Sequence, residues 1–464
     1  MWCDGTRARR RLLWIVAAAA AIAATVCGAR AEDKAKPPSI WQQNTLTGDW
    51  GGARSALKDR GVEITLGYIA ETFRVLSGGL YKRTSFEGRL DLTVDTDLDK
   101  LIGWKGASTS FTVFQIHNSG YNVADNVDSL ADPSNIDALP TTRLFSAWFQ
   151  QNFFDDRLSI RIGQLGVDLE SFTSATSGGL INGTFGWPSI FAANMINGGP
   201  AYPLAAPGIR LSVKPAKELT VLAAVLSGDP AGSDCNDDPQ ICNRHGITFS
   251  FTGGVLAIGE LQYAVNQAKQ ATRLPGLYKL GVWYESEDFP DQHYAVNASG
   301  AVVSLADPTA VGPLNHRGNW GIYASADQMV WRGMASSANL FVRGGGSPSD
   351  RNLISYYVDG GVGIKGPLPG RADDVLTFGV AYGKISRDAV ALDQDMLAIN
   401  GAPYAIRDAE VVFEASYQAQ IAPSWLIQPD IQYIWHPNGG QDPDDPTLAY
   451  GHAFLAGIRS TIKF

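Results

Sequence analysis

Residues 452–464 read HAFLAGIRSTIKF. Phe454, Ile458, Ile462 and Phe464 fall on one face of an extended chain, and Arg459, Thr461 and Lys463 fall on the other. Alternation with a period of two marks a strand whose two sides meet different solvents. A terminal strand this apolar is a hazard at a sheet edge, where unpaired backbone invites further pairing. A closed barrel in a membrane removes the edge and turns the apolar face to lipid.

The same alternation recurs upstream. Ile64, Leu66 and Tyr68 alternate with Thr65 and Gly67, and Leu90, Leu92 and Val94 with Asp91, Thr93 and Asp95. Leu158, Ile160 and Ile162, then Ile209, Leu211 and Val213, then Phe413, Ala415 and Tyr417, repeat the pattern. Connections alternate in length as well. Turns such as Phe154-Asp155-Asp156 and Ala422-Pro423-Ser424 are short, whereas 118–140, 167–206, 228–245, 287–316, 386–407 and 437–449 are long. Turns on one side and loops on the other are how an outer-membrane barrel is threaded. A hairpin at Gly253-Gly254 would make 17 strands and put the chain ends on opposite sides. One long strand over 246–266, with a bulge at those glycines, makes 16 and keeps short and long connections alternating. The expected fold is therefore all-β, a 16-stranded transmembrane antiparallel barrel over 62–464.

Ahead of the barrel, Arg7, Arg9, Arg10 and Arg11 precede the apolar run Leu12–Val26, and Ala29-Arg30-Ala31 fits a small-x-small cleavage site. Residues 1–31 read as an export signal, with the mature chain beginning at Glu32. Residues 32–61 form a short periplasmic segment in which Asp49 caps a helix from Trp50 to Arg60, ended by Gly61. A net charge of −9 argues against nucleic acid as a partner. Mean hydropathy of −0.07 suits a barrel, because only every second strand residue meets lipid. The 50 glycines suit bends, and the 12 Trp, 16 Tyr and 19 Phe suit interfacial girdles. Outside the signal, Cys235 and Cys242 close a polar loop, CNDDPQIC, and read as an exported disulfide rather than a metal site.

Enzyme motifs do not organise the chain, and no cofactor is expected. Gly361-Val-Gly363-Ile-Lys-Gly366 matches a dinucleotide pattern but lies inside an alternating strand with no helix behind it. The Asp125, Asp128, Asp132 and Asp137 spacing does not fit a calcium loop and reads as a solvated outer loop. Parity sends Arg161, Arg210, Arg343, Arg459, Lys214 and Lys463 inward, facing Asp91, Asp95, Glu414 and Asp430. A charge on the lipid side costs up to about 2–4 kcal/mol at mid-depth, so this parity is strongly constrained. Such charges stabilise a wet interior. At a narrow point they also hydrogen-bond a polar solute, and sugar hydroxyls, which donate and accept, suit them. The segment 167–206 is the best candidate for a constricting loop. Folded inward it brings Asp168, Glu170 and Trp187 to the lumen; the alternative is an outward flap.

The segments LTGDWGGARSALKDRG (46–61), RIGQLGVDLESF (161–172), GIYASADQMVWR (321–332), FVRGGGSPSDRN (341–352), GPLPGRADD (366–374) and QPDIQYIWHPNGG (428–440) resemble the carbohydrate-selective porin family of Gram-negative outer membranes. They run in order across nearly the whole mature chain. The resemblance implies a 16-stranded barrel admitting glucose-like monosaccharides, or small oligosaccharides, by passive diffusion without covalent chemistry. It projects pore-lining roles onto Arg161, Gln164 and Asp168, and onto Arg343 with Asp350 and Arg351. The expected partners are sugar solutes, outer-membrane lipid and the insertion machinery that reads a C-terminal aromatic strand such as the one ending at Phe464. Monomer and trimer stay open. A general or anionic-solute porin is the alternative, and a barrel-borne enzyme or adhesin a more distant one.

Overall fold

The computed structural model describes residues 39–464 apart from 269, 401 and 402. The export signal and the first residues of the mature segment lie outside the described residues. Strands β1 (Val62–Gly78), β2 (Thr84–Asp97), β3 (Ala107–Asn118), β4 (Thr141–Phe153), β5 (Leu158–Leu165), β6 (Ala206–Val213), β7 (Leu219–Ser227) and β8 (Val255–Val265) form the first half. The second half is β9 (Gly276–Asn297), β10 (Val302–Ser304), β11 (Ala310–Arg332), β12 (Ser337–Gly346), β13 (Ile354–Lys365), β14 (Val375–Ile385), β15 (Ala409–Ala422), β16 (Trp425–Trp435) and β17 (His452–Lys463). Each wall strand pairs antiparallel with the next, and β17 returns to β1, with Tyr68 opposite Ile462 and Glu71 opposite Arg459. β10 only extends the β9–β11 hairpin, so the closed wall has 16 strands.

Parity sets the two solvents. Leu92, Phe111, Ile162, Ile209, Leu280, Val342, Phe378, Phe413, Ile431 and Ile458 are exposed on the outside. In water such a belt would be an aggregation surface; in a bilayer it is the lipid face. Inside, Glu71, Arg343, Glu414, Asp430 and Arg459 are buried, and so is a hydrophobic cluster around Phe172, Phe185, Phe191 and Tyr323. A porin wall alone encloses no apolar core, so that cluster means something is packed against the wall from within.

Four expectations need correction, the first being that the acidic stretch 125–137 is a solvated outer loop, since it folds inward against Glu71 and Glu410. Residues 246–266 are not one strand: β8 begins at Val255, and Gly253 and Gly254 take φ of 84° and 72°, a left-handed pair that takes the chain out of the ladder. The 287–316 loop is mostly hairpin, because β9 and β11 run far beyond the membrane span with register shifts at their irregular end. Near the N-terminus, Trp50–Gly52 is a 3-10 turn and the helix is Ala53–Asp59, capped by left-handed Gly52 rather than by Asp49. Asp49 Oδ1 instead accepts from the Ser55 amide at 2.9 Å and hydroxyl at 2.8 Å. Gly61 ends the helix with φ of 91°. Gly361 and Gly363 lie in β13, and Cys235 and Cys242 are bonded, Cα atoms 5.8 Å apart.

Candidate functional site

Two long loops fold into the barrel, and strand carboxylates hold them there. Residues 166–205 leave β5, cross the lumen and return at β6. The Phe172 amide donates to Glu260 Oε2 of β8 at 2.7 Å. Asp327 of β11 accepts from the Thr176 amide at 2.9 Å and from the Ser174 and Thr176 hydroxyls at 2.6 Å. At the far wall Glu414 of β15 takes the amides of Ile181 and Asn182, the second at 3.0 Å, and Gln428 of β16 donates to the Gly179 carbonyl at 3.0 Å. The loop 119–140 is tied in the same way. Glu410 accepts from the Leu130 and Ala131 amides, both at 2.8 Å, and Glu71 bonds Ser134. Each carboxyl group offers several acceptor sites for such amides. An infolded loop exposes backbone amides to a lumen, and these acids satisfy them.

The loops pack around most of the wall, and a polar stretch of β4–β6 toward the turns stays open to the lumen. There Arg161 of β5 stands opposite Arg210 of β6 in the ladder. Glu170, descending from the loop, lies between them: Arg161 Nη1 to Oε1 is 2.8 Å and Arg210 Nε to Oε2 is 2.8 Å. Gln150 Oε1 of β4 accepts from Arg161 Nε at 3.0 Å and Arg210 Nη2 at 2.9 Å. The Trp148 ring lies under the Arg161 guanidinium, 4.0 Å from its centroid, a contact worth about 0.5–2 kcal/mol. Arg161, Glu170, Arg210 and Gln150 line a polar cavity of about 600 Å³ that reaches the turn residues Asp156 and Lys214. On β2, Arg89 is bidentate with Asp91, at 2.7 and 2.9 Å, and stacks on Phe114 and Tyr202.

The expected site residues divide into two groups. Arg161, Glu170 and Arg210 meet around the cavity, with Asp168 near them at the start of the loop. The Tyr202 amide donates to Asp168 Oδ2 at 3.1 Å, and burial pushes its carboxyl up to about 6 despite that bond and the nearby Arg89 charge. The others are placed as supports. Gln164 is buried, and its amide reaches the carbonyls of Leu144, Phe145 and Gly246 at 2.9–3.1 Å. Arg343 is 1% exposed; it pairs with Asp359 and donates to the Phe172 and Thr184 carbonyls, both at 3.1 Å. Trp187 packs on Phe191 and donates to Gly198 O at 2.9 Å, within the loop's own fold. Glu414 holds the loop tip, and Asp430 accepts from Gln432 at 3.0 Å. Asp350 and Arg351 pair with each other at 2.8 Å on the outer β12–β13 loop. There Arg351 holds the Asp350 carboxyl below the usual range.

Arg89, Trp148 and Gln150 escaped the sequence reading. Arg89 was within reach of it, since the parity that selects Asp91 and Asp95 selects Arg89 too. Trp148 and Gln150 were not, because β4 carries a bulge where Phe145 has no partner on β3, and the alternation breaks there.

A closed antiparallel barrel with an apolar belt, a polar interior and a loop narrowing its lumen defines an outer-membrane porin. The chain belongs to the OprB family of carbohydrate-selective porins, whose family model matches residues 83–464. It is 25% identical to Porin B of Pseudomonas aeruginosa over 94% of each chain. Its fold is similar to the high-pH structure of Pseudomonas putida OprB, with a TM-score of 0.80 at 21% identity over 92% of this chain and 100% of that one. The low-pH structure of the same porin gives a TM-score of 0.55 at 18% identity over 91% and 99%. The protein is thus a sugar-selective porin of a Gram-negative outer membrane.

Proposed function

We propose that the pore passes glucose-sized monosaccharides, and short oligosaccharides more slowly, down their gradient and without covalent chemistry. The observation that supports this most is the Arg161–Glu170–Arg210 cluster with Gln150 beside a cavity of about 600 Å³. Guanidinium donors and a carboxylate acceptor side by side match a hydroxyl-rich solute, which can exchange with the existing bonds one at a time. Binding at several weak points lets the solute enter and also leave. Glu170 offsets one of the two arginine charges and leaves carboxylate acceptors beside guanidinium donors, the pairing that a hydroxyl-rich solute can use. Asp168, Arg89 and Asp91 extend the same polar wall. Arg343 and Glu414 act one step back by fixing the loop that carries Glu170, Asp430 by orienting Gln432, and Gln164 by tying β5 to β4 and Gly246.

Export follows cleavage after Ala31, and insertion follows recognition of the strand ending at Phe464. Liposomes carrying the purified protein test the transport reading. Glucose entry should exceed that of a size-matched uncharged non-sugar several-fold; equal entry rates would reject sugar selectivity at this cluster. Glu170→Gln should lower that ratio, because it unbalances both arginines.

A further inference from the structure

Among the described residues, 39–61 precede the barrel. They run along the rim of the β1–β17 seam. The Leu46 amide donates to the Lys463 carbonyl at 2.7 Å, and Arg54 Nη2 donates to the Phe464 carbonyl at 2.7 Å. Trp41 rests near Trp425, ring centroids 6.3 Å apart. Trp425 stands opposite Ile462, on the lipid-facing side. Ile40, Trp41, Leu46 and Trp50 of this segment are 53%, 57%, 39% and 40% exposed. Large apolar and indole side chains exposed beside a lipid belt are interfacial anchors.

Between segment and seam runs a groove of about 1090 Å³. That exceeds what a headgroup alone fills, since pockets for drug-sized ligands span roughly 300–1,000 Å³. One wall is apolar, made by Ile64, Leu66 and Phe464; the other carries Arg54 and Lys58 with Asp49 and Glu63. Lys58 and Glu63 pair at 2.8 Å but are largely exposed, so the pair is readily exchanged. Arg54 stacks on Trp50 at 4.2 Å, and its Nε is enclosed without a hydrogen-bond partner. A buried donor left unpaired costs about 1–3 kcal/mol, which an anionic oxygen in the groove would recover.

We propose that this groove binds one phospholipid of the periplasmic leaflet. Its phosphodiester lies against Arg54 and Lys58, and its acyl chains follow Ile64, Leu66 and Phe464. Two cations facing two carboxylates suit a headgroup bearing both a phosphate and a primary ammonium, the ammonium resting against Asp49 and Glu63. The site is separate from the sugar pathway and stands whether or not the sugar reading holds.

Native mass spectrometry of the whole mature protein, delipidated in non-ionic detergent and offered palmitoyl-oleoyl phosphatidylethanolamine, phosphatidylglycerol or phosphatidylcholine, tests this. The expected result is one tightly retained phosphatidylethanolamine per chain. Arg54→Gln with Lys58→Gln should reduce retention about fivefold or more, and Glu63→Gln should remove the preference over phosphatidylglycerol. If loss of Arg54 prevents folding, Lys58→Gln alone carries the same test. No lipid held at a one-to-one ratio, or equal retention by wild type and the cation variants, overturns the site. Phosphatidylcholine bound as tightly as phosphatidylethanolamine overturns the ammonium subsite alone.

Discussion

Arg343 and Asp359 face each other across β12 and β13, and the guanidinium also reaches carbonyls of the infolded loop. Removing one partner of a buried pair leaves a bare charge and costs about 3–5 kcal/mol. Asp359→Ala should therefore loosen residues 166–205 while the wall stays closed. The expected signs are noisier and larger single-channel currents with the heat-modifiable band on gels retained; unchanged current noise would show that the loop is held elsewhere. Asp168 supplies a pH handle. Its carboxyl is raised to about 6, so the folded loop binds that proton more tightly than the unfolded chain does. Its contribution is complete below about pH 4 and is lost as pH rises through about 6. Hydrogen exchange in 166–205 should then quicken between pH 5 and pH 7.5 beyond the intrinsic base-catalysed change, and Asp168→Asn should abolish that excess. An identical excess in the variant would assign it to another group. At this scale the sequence shows which side chains point inward. It cannot show that Arg343 points at a loop and Arg161 at a cavity, because that depends on where residues 172–186 come to rest.

Elements explain the misreading around Gly253-Gly254. Two left-handed glycines serve equally as hairpin turn, bulge or exit from a ladder, and only the neighbouring strands decide which. Here β5, β6 and β7 have 8, 8 and 9 residues, shorter than their neighbours, and the chain before β8 covers their outer ends. Leu144 of β4 donates to His245 O at 2.9 Å, and Arg143 donates to the carbonyls of Gln240, Asn243 and Arg244 at 3.2–3.3 Å. The disulfide between Cys235 and Cys242 thus stiffens the segment that presents those carbonyls. Gly246 has φ of 65°, and a Cβ there would sit 1.9 Å from Leu144 O. Gly246→Ala should cost more than about 2 kcal/mol and detach this cover, seen as a lower unfolding temperature and faster proteolysis at 228–254. A variant as stable and as resistant as wild type would contradict the contact. The β9–β11 hairpin was hidden for a related reason: Pro290, Gly312, Pro313 and Gly318 read as loop, and long strands tolerate them only at bulges.

On the scale of the whole molecule, alternation and loop lengths determine most of the architecture. They specify a closed wall, its strand number and the side each residue faces, since a charge turned to lipid is costly. What they leave open is the filling of the barrel, because one acid on the inner face looks like any other until a loop amide finds it. The account's central claim is that residues 166–205 turn a wide barrel into a sugar-selective pore by setting Glu170 between Arg161 and Arg210. Single-channel current in planar bilayers, with sugars and short polyethylene glycols of matched size as blockers, tests it most directly. Glucose should block more strongly than the matched glycol. Arg161→Ala should weaken that block about three- to tenfold, the loss of roughly 1 kcal/mol expected for one hydrogen bond, while glycol block stays the same. Equal block by sugar and glycol in wild type, or the same sugar block after Arg161→Ala, would contradict it.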